Sequence, residues 1–273
     1  MKLVRYDSVR GPAVGLLDGQ DRVWPTGLTK MSEIIDAGRV PEPLKGAQPI
    51  LGARLLSPIE RPGKVLCAGV NYRSHKDENP SAVFPTVPFF FSKLPTAVVG
   101  SGDPIVLPER TSEVDYEVEL ALVIGRRAKG LSEEDALTCV FGYTVANDVS
   151  ARDVQFVDNQ ITLGKGFDTF CPLGPAIVPV QDLPDPQGVT VASYVNGERR
   201  QHERTAGMLF PVAQLLSFLS RHITLEPGDV VTTGTPAGVG TFRSPPEYLR
   251  PGDVVDVEVD VIGRLSNPVA AGW

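Results

Sequence analysis

Residues 115–125 read DYEVELALVIG, two glutamates one residue apart in a run that otherwise has the composition of a buried strand. In a helix, Glu117 and Glu119 would stand about 200° apart around the axis, on opposite faces. In a strand they share one face about 7 Å apart, with Val118, Leu120, Leu122 and Ile124 on the other. The aliphatic composition after Glu119 favours the strand. Ala121 and Val123 continue the acids' own face, so that face also enters the interior and is not the solvated side of a half-buried sheet. Two like charges entering a core must be neutralised by protonation, by basic partners or by a cation. Carboxylate oxygens suit Mg²⁺, Mn²⁺ or Ca²⁺ better than zinc, so a hard divalent cation is expected. Such a site wants a third oxygen ligand. Asp148, ending the next strand-like run, competes for that role with Asp153 and Asp115, and spacing alone leaves the choice open.

Around this strand the chain reads as an α+β, β-rich protein. Strand-like segments include VFGYTVA (140–146), AIVPV (176–180), VTVASYVNGERRQ (189–201) with an Asn196-Gly197 hairpin turn, and DVVDVEVDVIG (253–263). Helices are few: residues 30–38, a segment opened by the capping box at Ser132, and an apolar periodic stretch over 209–222 with Pro211 near its start. The first 25 residues read as a small β-meander. The linker-like SPIERPGK (57–64) places a soft boundary near residue 60, dividing a small N-terminal β-containing domain (1–60) from the main body (61–273). EPGDVV (226–231) and RPGDVV (250–255) read as two similar turns into strands and not as a repeat architecture.

The net charge of −7, with Lys and Arg scattered, opposes a nucleic-acid or anionic-membrane surface. No apolar run is long enough to span a bilayer, and the N-terminal MKLVRYDSVRG lacks an apolar export signal, so the expected location is cytoplasmic. Cys67, Cys139 and Cys171 are odd in number and widely separated, which argues for buried thiols and against a disulfide framework or zinc knuckle. The glycine-rich TGTPAGVG (233–240) lacks the Lys-Ser/Thr ending of a phosphate-binding loop; its glycines are expected to let backbone approach a ligand or a neighbouring strand.

Taken in order, KVLCAGVNYRSH (64–75), DYEVELALVIG (115–125), GYTVANDVSARDVQ (142–155), GKGFDTFCPLGP (164–175), VNGERRQ (195–201) and LEPGDVVTTGTPAGVG (225–240) strongly resemble the fumarylacetoacetate hydrolase family. The resemblance covers about residues 62–268, and E-x-E followed by N-D-x-S-A-R-D is its most specific part. It implies the family's catalytic fold, a β-roll of mixed sheets with few flanking helices, assembled as a homodimer. It also implies Glu117, Glu119 and Asp148 as ligands of a divalent cation, Mg²⁺ first, with Asp115, Asp153 and Asp77 structural or solvated.

By the same resemblance His75 and Glu78 form a catalytic pair on a segment that orders over the substrate. An imidazole titrating near neutrality can move a proton while a carboxylate fixes its tautomer. Lys165 is expected to stabilise developing negative charge, and Gln155, Thr235 and, less directly, Arg73 to line the substrate pocket. His202 and His222 read as surface residues. Of Phe84 and Phe89–Phe91, most of the three-residue run is assigned to the core, because three adjacent aromatics cannot all face one ligand. The implied substrate is a small 2-oxo acid handled through a metal-stabilised enolate. Hydrolysis of an acylpyruvate or decarboxylation of oxaloacetate is the expected outcome, with isomerisation of a 2-hydroxyhepta-2,4-diene-1,7-dioate as the alternative. The contrasting reading is a non-enzymatic β-protein stabilised by its metal.

Overall fold

The structure, a computed structural model, describes residues 1–79, 83–157 and 160–272. The acid-bearing segment is a strand, Val118–Ile124, buried along its whole length. Its two faces feed two separate clusters: Val118, Leu120, Leu122 and Ile124 belong to one, Ala121 and Val123 to the other. Both sides of this strand are therefore interior, which removes the option of solvating the acids.

The strand is central in a twelve-stranded mixed sheet. Along the main path the order is Ile50–Leu51, Arg22–Pro25, Gly11–Leu17, Lys2–Ser8, Cys171–Pro179, Val140–Asn147, Val118–Ile124, Val230–Thr232, Val65–Gly69 and Phe89–Lys93. Val118 lies opposite Asn147, Ala121 opposite Thr232, and Thr232 beside Cys67 in a parallel pair. This register brings together the first residues of one strand and the last residues of three others. The N-terminal meander joins the same sheet where Leu3 faces Ile177.

A five-stranded sheet, in the order Glu198–Arg204, Thr190–Val195, Val254–Val259, Gly263–Ala271 and Ile105–Leu107, closes over the first cluster, and Val114–Asp115 pairs with Ser150–Ala151 as a small separate ladder. The helices at Met31–Ala37, Glu133–Ala136 and Val212–His222 fall where the sequence places them, and the Asn196-Gly197 turn joins its two predicted strands. The two PGD turns have one geometry. In each the Asp side chain accepts from the backbone N–H three residues earlier, Asp229 from Glu226 and Asp253 from Arg250, and the glycine has positive φ. All three cysteines are buried and free. No described helix is long and apolar enough to cross a membrane.

Candidate active site

Glu117 immediately precedes its strand, where the Asn147 side chain accepts its N–H and its carbonyl accepts the Asp148 N–H. Those bonds dock the end of Val140–Asn147 beside the start of Val118–Ile124 and so set Asp148 beside the two glutamates. Ligand oxygens of Glu117, Glu119 and Asp148 lie within 4.8 Å of one another, and all three residues are buried.

Each carboxylate is anchored through one oxygen by a different group. Arg152 Nη2 donates to Glu117 Oε1 at 2.6 Å, the Gly234 N–H to Glu119 Oε2 at 2.6 Å, and Lys93 Nζ to Asp148 Oδ1. The second oxygens of Glu117 and Asp148 accept from Lys165 Nζ, at 2.7 and 2.8 Å. Gly234 is required here: its φ is +89°, and a Cβ would stand 2.7 Å from Cβ of Asn71. Arg152 is held in turn by Asp115 through Nε and Nη2 at 3.0 and 2.8 Å, and the same carboxylate accepts the N–H groups of Gly240 and Thr241.

Four buried carboxylates, Asp115, Glu117, Glu119 and Asp148, thus face three cationic groups, Lys93, Arg152 and Lys165. The uncompensated charge falls on Glu119. Burial, then the nearby Asp148 and Glu117, push its carboxyl well above the usual range. Burial also pushes Glu117 upward, but Lys165 and Arg152 more than offset it and hold its carboxyl well below the ordinary value. For Lys165 burial favours the neutral amine, yet Asp148 and Glu117 prevail and its pKa is raised. The donor set fits a hard divalent cation: three buried carboxylates, each pre-oriented by its anchor, with one negative charge unmatched by protein cations.

Beside the triad opens a cavity of about 170 Å³. His75, Gln155, Lys165 and Thr235 line it together with Glu117 and Glu119. His75 begins a one-turn helix, His75–Glu78; its Nδ1–H donates to Glu78 Oε1 at 2.6 Å, and Glu78 Oε2 accepts the Gly238 N–H at 2.6 Å. Gln155 and Lys165 end two short helices, Arg152–Gln155 and Ile161–Lys165, that meet at Gly164, where a Cβ would stand 2.7 Å from the Gln155 backbone. The Gln155 amide is oriented by Arg152 Nη1, which donates to its Oε1 at 3.1 Å. The Thr235 hydroxyl is consumed internally, donating to the Val118 carbonyl and accepting from Gln201.

Arg73 is not brought to this cavity. It is exposed, and its guanidinium donates to the carbonyls of Met208 and Gly207, so it braces the His75 segment from outside. Most of the aromatic run packs with the core, as expected, and one of its core rings also reaches the cavity. Phe90 packs against the first cluster and stacks on Phe218, Phe91 packs against the second and also lines the cavity 5.0 Å from Lys165 Nζ, and Phe89 lines the cavity. Phe84 stands instead beside Lys76. Residues 80–82, which follow the His75–Glu78 segment, lie outside the described residues. Asp115 and Asp153 hold structure, the latter accepting from Thr111 and Ser112.

Lys93 and Arg152 are the residues contacting the candidate site that the sequence reading passed over. Lys93 ends a strand of aromatics, a position that gives no local sign of a partner at Asp148. Arg152 sits inside the very motif, S-A-R-D, that singled out Asp148.

Residues 64–270 match the family model described as fumarylacetoacetate (FAA) hydrolase C-terminal. The mitochondrial oxaloacetate tautomerase FAHD2B of Bos taurus is 42% identical over 288 residues, covering 98% of this chain and 91% of that protein. The fumarylacetoacetate hydrolase structure from psychrophilic Exiguobacterium antarcticum superposes with a TM-score of 0.90 at 39% identity, over 99% of both chains. A 5-carboxymethyl-2-hydroxymuconate delta-isomerase from Mycobacterium smegmatis superposes with a TM-score of 0.85 at 38% identity, covering 99% of this chain and 100% of that one.

Proposed function

The chain belongs to the fumarylacetoacetate hydrolase family, and from that premise we propose that it catalyses enol–keto tautomerisation of a small 2-oxo acid, with oxaloacetate as the leading substrate. It is an enzyme of a family active on small oxo acids. The observation that carries the finer reading is that Glu117 and Glu119 of the buried carboxylate triad line one cavity with His75, whose Nδ1 is held by Glu78.

A divalent cation held by Glu117, Glu119 and Asp148 would supply Lewis-acid polarisation of the 2-oxo oxygen. The protein's own groups do the rest. Glu78 fixes the His75 tautomer, so Nε2 accepts a proton and returns it. That nitrogen takes the enolic proton from the 2-oxygen and delivers it to C3. Lys165 keeps a fixed positive charge at the floor of the cavity, where negative charge develops as the proton leaves. The Gln155 amide, oriented by Arg152, offers an N–H to the ligand. The aromatic walls limit water at the reacting carbons.

Hydrolysis of an acylpyruvate and decarboxylation of oxaloacetate would employ the same groups. Proton relocation is preferred because the His75–Glu78 pair suffices to move one proton, and because two of the similar proteins are named for proton-shifting reactions. The test mixes enolic oxaloacetate with Mg²⁺-loaded protein and follows enol absorbance, CO₂ and pyruvate together. Enol decay should outrun the uncatalysed rate without CO₂ release, stop on chelation, and fall about 10²–10⁴-fold in His75→Ala. CO₂ and pyruvate appearing in step with substrate loss would assign decarboxylation instead.

A further inference from the structure

The charged groups of the cavity lie beside the carboxylate triad, and His75, Asn79, Gln155 and Thr235 add polar lining. Its floor carries Glu117, Glu119, Arg152 and Lys165, and both cations there are already bonded to carboxylates. The cavity's large apolar lining residues are Val70, Phe89, Phe91, Phe156, Ile161, Val239 and Phe242. Four of these stand well out of the core: Val70 is 39% exposed, Phe89 42%, Phe156 60% and Phe242 39%. Large apolar side chains left exposed around the opening of a catalytic cavity mark a surface that a ligand covers.

Val70 is held there by the backbone. Its φ of +50°, unusual for a β-branched residue, turns the chain out of the strand Val65–Gly69. The turn is locked by Asn71, whose side chain donates to the Phe210 and Thr233 carbonyls and accepts the Phe210 N–H.

An apolar collar above a charged floor suits a ligand with the same polarity. A 2-oxo acid whose carboxylate and 2-oxo group reach the charged floor would direct its C3 substituent toward the apolar lining that includes Phe89 and Phe242. A second carboxylate there would meet rings, whereas an aryl group would meet favourable edge and face contacts. Resting on the tautomerase reading above, we propose that the enzyme also accepts 3-aryl-2-oxo acids and converts their enol to the keto form. In that step the enolic O–H bond breaks and its electron pair becomes the C2–O π bond. The C2=C3 π pair takes the proton and becomes the new C3–H bond. Nothing is oxidised or reduced, and no co-reactant is consumed.

The experiment assays enolic phenylpyruvate and enolic oxaloacetate in parallel on the Mg²⁺-loaded full-length protein, native and Phe242→Arg, with folding of the variant checked by circular dichroism. The expected result is a kcat/KM for phenylpyruvate within about tenfold of that for oxaloacetate, and a shift of that ratio by at least about tenfold toward oxaloacetate in Phe242→Arg. Turnover of oxaloacetate without phenylpyruvate overturns this inference and leaves the tautomerase reading standing. Absence of both activities overturns the reading beneath it. An unchanged ratio in a folded Phe242→Arg, repeated in Phe89→Arg, overturns the placement of the aryl group against the collar.

Discussion

Lys93 is buried, touches Asp148 and the Val149 carbonyl, and stands outside the group of residues lining the cavity. If it acts only as a positive charge, removing it should tighten divalent-cation binding, because one repulsion disappears. If it aims Asp148, removing it should weaken binding, since residues that orient metal ligands are typically worth about 10–100-fold in affinity. We expect the second outcome. In isothermal titration with Mn²⁺, Lys93→Met should bind about tenfold or more weakly than native protein. Lys93→Arg, which keeps the charge but replaces the compact ammonium by a bulkier planar fork, should also bind less tightly. Tighter binding by Lys93→Met would reduce Lys93 to a counter-charge. At this scale the glutamate pair was legible because a period of two is visible in a single segment. Asp148 was reached only through the family motif, as two other aspartates fitted equally well. Lys93 was hidden because its partner lies 55 residues away and nothing local encodes that approach. Arg73 was included by the resemblance, yet its Nη1 donates to the Gly207 and Met208 carbonyls and it does not line the cavity.

Among the elements, the loop that follows Val230–Thr232 does the most to connect the two halves of the site. Gly234 donates to the carboxylate Glu119, and Gly238 donates to Glu78, the partner of His75. One glycine-rich segment therefore sets the relative position of the triad and the acid–base pair. The sequence reading foresaw close backbone approach here but not its object, since a glycine shows only that space is short and not what fills it. Gly234→Ala would combine a left-handed φ with a Cβ 2.7 Å from that of Asn71. It should cost about 2 kcal/mol or more in urea unfolding and lower cation affinity with it, as Glu119 loses its anchor. Unchanged stability would mean that the loop relaxes freely and does not fix the site. In the Phe89–Phe91 run the core assignment holds for Phe90 and Phe91, while the cavity contact of Phe89 and Phe91 follows from the alternation that puts both on one face.

For the molecule as a whole, the meander at the N-terminus was readable as strands, and its attachment was not, because pairing between Lys2–Ser8 and Cys171–Pro179 joins segments far apart in sequence. The attachment matters for the site. Leu3, Val14, Leu16, Met31, Ile34 and Ile35 pack in one cluster with Val65, Cys67, Ala121, Val123 and Val230, the apolar residues of the strands that carry the triad. Residues before and after the boundary near residue 60 therefore share one core. Six buried side chains at about 2 kcal/mol each contribute roughly 12 kcal/mol, an amount comparable with the whole stability of a typical domain. A chain beginning at residue 61 would expose Ala121 and Val123, the neighbours of Glu119 on its own face of the sheet. Such a truncation is expected to be insoluble or loosely folded and to lack cation-dependent thermal stabilisation. The full chain should show a rise in Tm with Mg²⁺, because a cation bound only by the folded carboxylates shifts the equilibrium by mass action. A soluble 61–273 fragment that still gained stability from Mg²⁺ would show that the triad is held by the catalytic half alone.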